Sequence, residues 1–540
     1  MKKKVILSAI MSICLCVSLI AGATFAIFTS ESKVNIAVTS GKVEVKAEMS
    51  TPTLYSPAAI NLDGTIADEN NIATSDNFAN GGSAVLSGNT LTLDKLMPGD
   101  KVSFDITLKN LSNVKTLYRY GYAVEATDGS DLKQAKKLYS ALVFGLDDIE
   151  TSKYISYKTG WTEFTAEKTL AVTVSLPATA GNECQDLSGK IVFTIEAVQG
   201  NAKVSEGEEF EYKIADIDGF KNALDDINNN DETSSATLVL ADDFAFTDNQ
   251  NNGLQVANDK DLKIDLAGND LTIQNENTDG ITLGSGTTLT LCNSADSGKY
   301  IFNCVARGAD GIFVSNSEVG KTTTLNVEGD VEINVNAKAN SAIHAYAEKG
   351  NAVVNLKDAT IKVTGTKRTT AIVVDQNTTL NITDATLDIS CDFDSYSDGN
   401  DVVGILLWGQ NGKQENINVN IDGNSVISVG GKNAFAQGIQ IGMKNGYSKD
   451  LKVTMNGGEI VLNQTENGKG YAFTTYKDIY GKFVMNGGKI SGNITALALA
   501  YIGNVDLTVT GGTFGVDPAD YLAEGYKATE TNGAWTVTKA

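Results

Sequence analysis

The sequence predicts an all-β protein, a β-sandwich followed by a right-handed parallel β-helix with a short helical cap. Three observations carry that prediction. Apolar residues alternate with polar ones along most of the chain, the signature of half-buried strands. A short strand-turn-strand unit recurs through the C-terminal half at intervals of roughly 20–40 residues. The turns are built from Gly, Asn and Asp, with 52 Gly but only 5 Pro, which excludes a Pro-rich stalk. A chain of 540 residues exceeds what one hydrophobic core organises, so two or more domains are expected. The formal net charge of −23 disfavours nucleic acid and anionic lipid as partners. That acidity serves solubility or, where carboxylates cluster, collects divalent cations.

Residues 1–27 read as a signal peptide. Lys2, Lys3 and Lys4 form a charged start, residues 5–20 an apolar run, and small residues lead to a cut at Ala26 and Ile27. A retained anchor is the alternative, but the run is short for a span of ~20 residues and no stop-transfer charges follow. No other segment is apolar enough to cross a bilayer, so an extracellular protein with no stable membrane span after processing is expected. Cys14 and Cys16 leave with the leader, and Cys184, Cys292, Cys304 and Cys391 remain. Four cysteines are too few for a disulfide scaffold. Cys292 and Cys304 are close enough in sequence to pair, and free thiols are the alternative.

Residues 28–202 alternate in separate strands. Val43 and Val45 open one, Val102, Phe104, Ile106 and Leu108 line another, and Val172, Val174, Leu176, Ile191, Phe193 and Ile195 mark two more. Strands of this kind separated by Gly, Asn and Asp turns pack as a β-sandwich, with a short helical excursion around residues 132–138. The Thr24-Phe25-Ala26 cleavage region, Phe28-Thr29 at the mature start, Ser40-Gly41 before the first strand and the Pro98-Gly99-Asp100 turn resemble the TasA/camelysin family. The resemblance covers residues 1–202. It implies a jelly-roll, a signal peptidase of the SipW type, and assembly into biofilm-matrix fibres in which an N-terminal strand, here residues 28–46, completes a neighbour's sheet. Pairing of that segment within its own sandwich is the alternative. Camelysin is classed as a metallopeptidase, yet this chain has no His-Glu-x-x-His and a single histidine, so a His-rich zinc site cannot be assembled.

Residues 203–235 change character. A polar, acidic stretch precedes Ile217, Phe220, Leu224 and Ile227 at helical spacing, with Asp216 or Asp218 as cap. Such a helix suits the open end of a solenoid. From residue 236 to 540 the repeated unit begins at Ile264, Leu289, Leu325, Val354, Leu380, Val419, Val453, Phe483 and Leu507. A second apolar strand precedes most copies, giving two or three strands per coil. Strands that cannot bury a face alone must stack. The handedness of parallel crossovers, and a resemblance to pectate-lyase-like β-helices, imply right-handed winding. Met455 and Met485 fall at core positions, and the segment after Asp517 reads as a C-terminal cap.

The array hosts few chemical motifs. Asn277-Thr278-Asp279-Gly280 looks like the first catalytic motif of polygalacturonases, but its companion motifs are missing and a plain turn accounts for it. Lys367 and Arg368 form a corner that reads as solvated rather than as a lyase base. His344 sits in an alternating strand where it is either a general base on the outer face or a structural histidine, with no carboxylate partner nameable from sequence. Asp392, Asp394, Asp398 and Asp401 fall within ten residues, a density of hard oxygen ligands that suits Ca²⁺, although the Gly399 turn departs from the EF-hand spacing. A solvated loop between coils is the alternative. Tyr396 and Trp408 nearby offer a sugar-stacking face or simple packing.

These readings lead to a non-catalytic cell-surface or biofilm-matrix protein, structural or adhesive, with no required cofactor. Its expected partners are copies of itself, matrix proteins, or cell-wall or host glycans. A polysaccharide lyase or glycoside hydrolase on the β-helix is the alternative, and a camelysin-type peptidase a more distant one.

Overall fold

The computed structural model describes residues 33–36, 42–57, 82–87, 90–126, 142–147, 149–150, 154–181, 190–200, 210–231, 233–247 and 253–540, the last apart from 276–277, 296, 305–307, 336–339, 366, 398, 409–412, 443–446, 467, 476–479, 493–496 and 502–503. The expected cleavage site at Ala26 and Ile27, the helical excursion at 132–138, and Cys184 lie outside the described residues. The chain divides into two compact units, Met1–Glu206 and Gly207–Ala540.

The first unit is built of antiparallel strands. Lys101–Asn110 pairs with Val45–Met49 and with Lys168–Ser175, which in turn pairs with Val143–Leu146. A second sheet pairs Thr116–Glu125 with Lys190–Gln199 and Ser156–Lys158. The alternation read from sequence is the burial pattern observed: Val102, Phe104, Ile106 and Leu108 are buried, as are Leu170, Val172 and Val174 opposite them. Phe104, Ile106, Val172 and Val174 of one sheet and Ile191 and Phe193 of the other line a common apolar interior. At the Pro98-Gly99-Asp100 turn, Gly99 has a φ of 98° and the fully buried Asp100 carboxylate accepts from Met97 N and Ser56 Oγ. That turn demands a residue free of a Cβ followed by one that caps backbone donors.

The segment expected to be donated, residues 28–46, does not behave as one piece. Lys33–Ile36 runs parallel to Lys190–Gln199 of its own chain over four residue pairs. Val43 and Val45 are buried, and Val45 opens a strand held antiparallel by Lys101–Asn110. The two described parts of the segment are held by different strands of the same chain.

The second unit is a parallel β-solenoid. Each coil supplies three short strands, one to each of three sheets. The first sheet runs from Phe210–Ile214 through Ser235–Leu240, Asp261–Asp265 and their successors to Asn504–Val509. The second begins at Phe244–Thr247 and the third at Leu254–Val256. The expected linker at 203–235 already contains the first of these strands, because Tyr212 and Ile214 bury against the first coil. Leu, Ile and Val stack in register along each sheet, as in Leu289, Leu325, Val354, Leu380 and Val419, all fully buried.

Corners follow from backbone chemistry. Between the first and second sheets the chain turns within two or three residues, using left-handed conformations at Asp358 (φ 49°), Asp384 (φ 51°) and Gly423 (φ 65°). Asp and Gly are among the residues that tolerate them. Along the third sheet a Gly or Ala precedes one paired isoleucine in successive coils: Gly280, Gly311, Ala342, Ala371, Gly404 and Gly438. At Gly438 the reason is space. A Cβ on Gly438 would lie 2.7 Å from Ala472 O and 2.7 Å from Ile460 Cγ2 of the second sheet.

Both ends of the coil stack carry covering elements. Helix α1, Ile217–Asn229, buries Phe220, Ala223, Leu224 and Ile227, with Phe220 packed on Phe244 and Phe246 at the start of the second sheet. Asp216 caps it by accepting from Gly219 N at 2.8 Å. The buried Lys260 ammonium closes the other end, donating to Asn230 O and Thr233 O, both at 2.7 Å. At the C-terminus Tyr526–Thr531 and Ala534–Lys539 form a hairpin across Asn532-Gly533, and its second strand pairs antiparallel with Gly512–Phe514. Asn-Gly with positive φ at both positions is the turn such a hairpin requires.

Candidate functional site

The one concentration of interacting acidic and imidazole side chains among the described residues lies along the third sheet, where successive coils bring Asp279, Asp310, His344 and Asp375 together. His344, the chain's single histidine, occupies the strand Asn340–Ala347, in which Ile343, Ala345 and Ala347 point into the core. Alternation turns His344 to the outer face. Asp310 precedes Ile312–Asn316 on the coil before, and its Oδ2 lies 3.0 Å from His344 Nδ1. Asp375 follows Thr369–Val374 on the coil after, and its Oδ2 lies 3.8 Å from His344 Nε2. Phe313 covers the imidazole with ring centroids 5.2 Å apart.

Each carboxylate has further partners. Asp310 Oδ1 accepts from the Ser341 amide at 2.9 Å and from the Ser341 hydroxyl. Asp279 Oδ1 accepts from the Asp310 amide at 2.6 Å, and Asp375 Oδ1 from the Gln376 amide at 2.7 Å. The side chains are largely shielded, with His344 at 14% exposure, Asp310 at 12% and Asp375 at 0%.

Electrostatics decide what the cluster can do. Burial alone would depress the His344 pKa, but the Asp310 hydrogen bond and the nearby charges of Asp310 and Asp375 outweigh it and hold the imidazole up at about 9. At neutral pH it is an imidazolium between two carboxylates, and a protonated ring cannot serve as a base. Burial raises the Asp279 pKa, against the Asp310 amide that favours its charged form. The result is a spine of ion pairs across three coils, extended to a fourth by the hydrogen bond of the Asp310 amide to Asp279. Sequence reading found His344 and Asp279 separately and missed Asp310 and Asp375. The signal was present: Asp279-Gly280-Ile281 and Asp310-Gly311-Ile312 repeat one motif, and the stacking of their isoleucines puts both aspartates in register.

The other sequence candidates are not gathered into a site. Asp392 accepts from Lys432 N at 2.7 Å, Asp394 is exposed, and Asp398 lies outside the described residues. Asp401 is buried, its Oδ2 3.0 Å from Arg368 Nε and its Oδ1 accepting from Gln437 Nε2 at 2.9 Å. Among the described residues no group of three or more His, Cys, Asp or Glu is arranged to hold a metal ion. Arg368 is thereby part of an ion pair rather than a free corner. Tyr396 takes the Lys469 ammonium over its ring at 5.4 Å, and Trp408 is half-buried. Met455 and Met485 lie in the core. Cys292 and Cys391 are buried free thiols whose pKa burial pushes up to about 11.

No protein-family model, no curated protein and no solved structure matches this chain.

Proposed function

We propose that the chain is an exported, non-catalytic structural or adhesive protein of the cell surface or biofilm matrix. On this reading the leader is removed after residue 27 by a peptidase of the SipW type, residues 28–202 form a TasA/camelysin-like jelly-roll, and the solenoid winds right-handed. The observation that carries it is the pairing of His344 with Asp310 and Asp375, which engages the solenoid's histidine in linking successive coils. Stacked in-register sheets with a covering element at each end make a closed, elongated body suited to a scaffold. The short parallel pairing of Lys33–Ile36 supports strand exchange between copies, since few residue pairs must be broken.

A second reading, a glycoside hydrolase, draws on the convergence of Asp279 and Asp310 on one face. Hydrolysis needs two accessible carboxyls flanking the bond, one of them protonated. The commitment of Asp310 to His344 and Ser341 weighs against it. Incubating the exported chain with neutral and uronic-acid polysaccharides and assaying new reducing ends and unsaturated products separates the two. The scaffold reading expects neither product. Either one, lost in Asp279→Asn, would replace it with an enzyme.

A further inference from the structure

The outer face of the first sheet carries a ladder of asparagines. Alternation buries Leu325, Val327, Val354, Leu356, Leu380 and Ile382 and turns the residues between them outward. Asn355 Nδ2 donates to Asn326 Oδ1 at 2.9 Å, Asn381 Nδ2 to Asn355 Oδ1 at 2.8 Å, and Asn420 Nδ2 to Asn381 Oδ1 at 2.9 Å. Asn326 ends the run on Thr290 Oγ1 at 3.2 Å. Two positions further along the same strands stand Glu328, Lys357 and Thr383, in register with one another across consecutive coils. These two columns line an open cleft of about 320 Å³.

We propose that this cleft binds an extended, uncharged polysaccharide lying along the stack of coils. A carboxamide has two donor hydrogens and two acceptor lone pairs, and each rung of the ladder uses one of each. In Asn326, Asn355 and Asn381 one donor and one acceptor remain, groups able to bond the hydroxyls of a sugar ring. The rungs repeat at the strand spacing of about 4.8 Å, close to the advance per ring of an extended glycan chain. The ladder also fixes every amide in one orientation, so little ordering cost remains when a ligand arrives.

Charge sets the class. Glu328 and Lys357 give the cleft one residue of each sign, and among the described residues no ion pair joins them. The chain as a whole is strongly acidic, which repels uronates and nucleic acids. A neutral chain of hydroxyl-bearing rings meets no such penalty.

This assignment rests on the surface or matrix reading only in placing the chain where polysaccharide is met, and fibre formation is read by a separate measurement. The test is calorimetric titration of the exported chain with cellohexaose and with chitohexaose, and with polygalacturonate as the charged comparison. The expected result is saturable binding of a neutral oligosaccharide, weakened at least about tenfold by Asn355→Ala, which interrupts the ladder. Thr383→Trp fills the cleft without touching the ladder and should abolish binding, so it decides the matter if Asn355→Ala does not fold. Absence of saturable binding to either neutral probe, equal affinity in both variants, or tighter binding of polygalacturonate would overturn the proposal.

Discussion

His344 Nδ1 stands 3.0 Å from Asp310 Oδ2 on the preceding coil, and this contact links the protein's only histidine to its stability. The imidazole pKa is raised from 6.5 to about 9 in the folded chain. A raised pKa means the folded state holds the proton more tightly, so the stabilisation is complete below pH 6.5 and fades as pH rises through 9. Its size is on the order of 3 kcal/mol. Melting curves of the parent and of His344→Gln should lie well apart at pH 6 and converge near pH 10. A constant gap across that range would mean the imidazole is not charged in the fold.

Gly438 is required by close packing inside the third-sheet strand Phe435–Ile441. A methyl group there meets a backbone oxygen that cannot move aside, so Gly438→Ala should cost about 1–3 kcal/mol in denaturant unfolding. Gly525→Ala, where nothing lies within 4 Å but φ is 83°, should cost less.

Helix α1 is held at both ends. Asp216→Ala should remove about 1 kcal/mol by freeing the Gly219 amide. Lys260→Met strands two carbonyls beneath the cap and should cost about 1–3 kcal/mol. Hydrogen exchange should show both losses first in α1 and in Ser235–Leu240.

Millimolar calcium should leave the melting temperature unchanged, because Asp401 is already paired with Arg368 and Gln437. A calcium-dependent rise abolished by Asp392→Asn would assign an ion to that loop instead.

Thiol titration offers a further check. Cys292 and Cys391 are buried and held protonated, so both should stay unreactive towards a thiol reagent at pH 8 until the chain is unfolded.

Much of the fold was legible in sequence because period-2 alternation and stacking are local rules applied many times. The strands at Leu289, Leu325, Val354 and Leu380 follow directly from it. The strand Phe210–Ile214 was not legible. Its short apolar content, Tyr212 and Ile214, sits in an acidic stretch, and only its pairing with Ser235–Leu240 makes it a strand. The histidine's partners were hidden for another reason. Asp310 and Asp375 are far from His344 in sequence, and contact depends on the lengths of the intervening coils. The asparagine ladder was visible residue by residue, but its register emerges only when loops of unequal length are shown to return each strand to the same height.

Negative-stain microscopy tests most directly whether the chain is a secreted scaffold that assembles by exchange of its N-terminal segment. The chain beginning at Phe28 would be compared with one lacking residues 28–41, at equal concentration, leaving Val43 and Val45 in the sheet they bury against. Fibres formed by the longer chain and absent from the shorter are the predicted result. Dispersed single particles from both, or fibres from both, would contradict assembly by that segment.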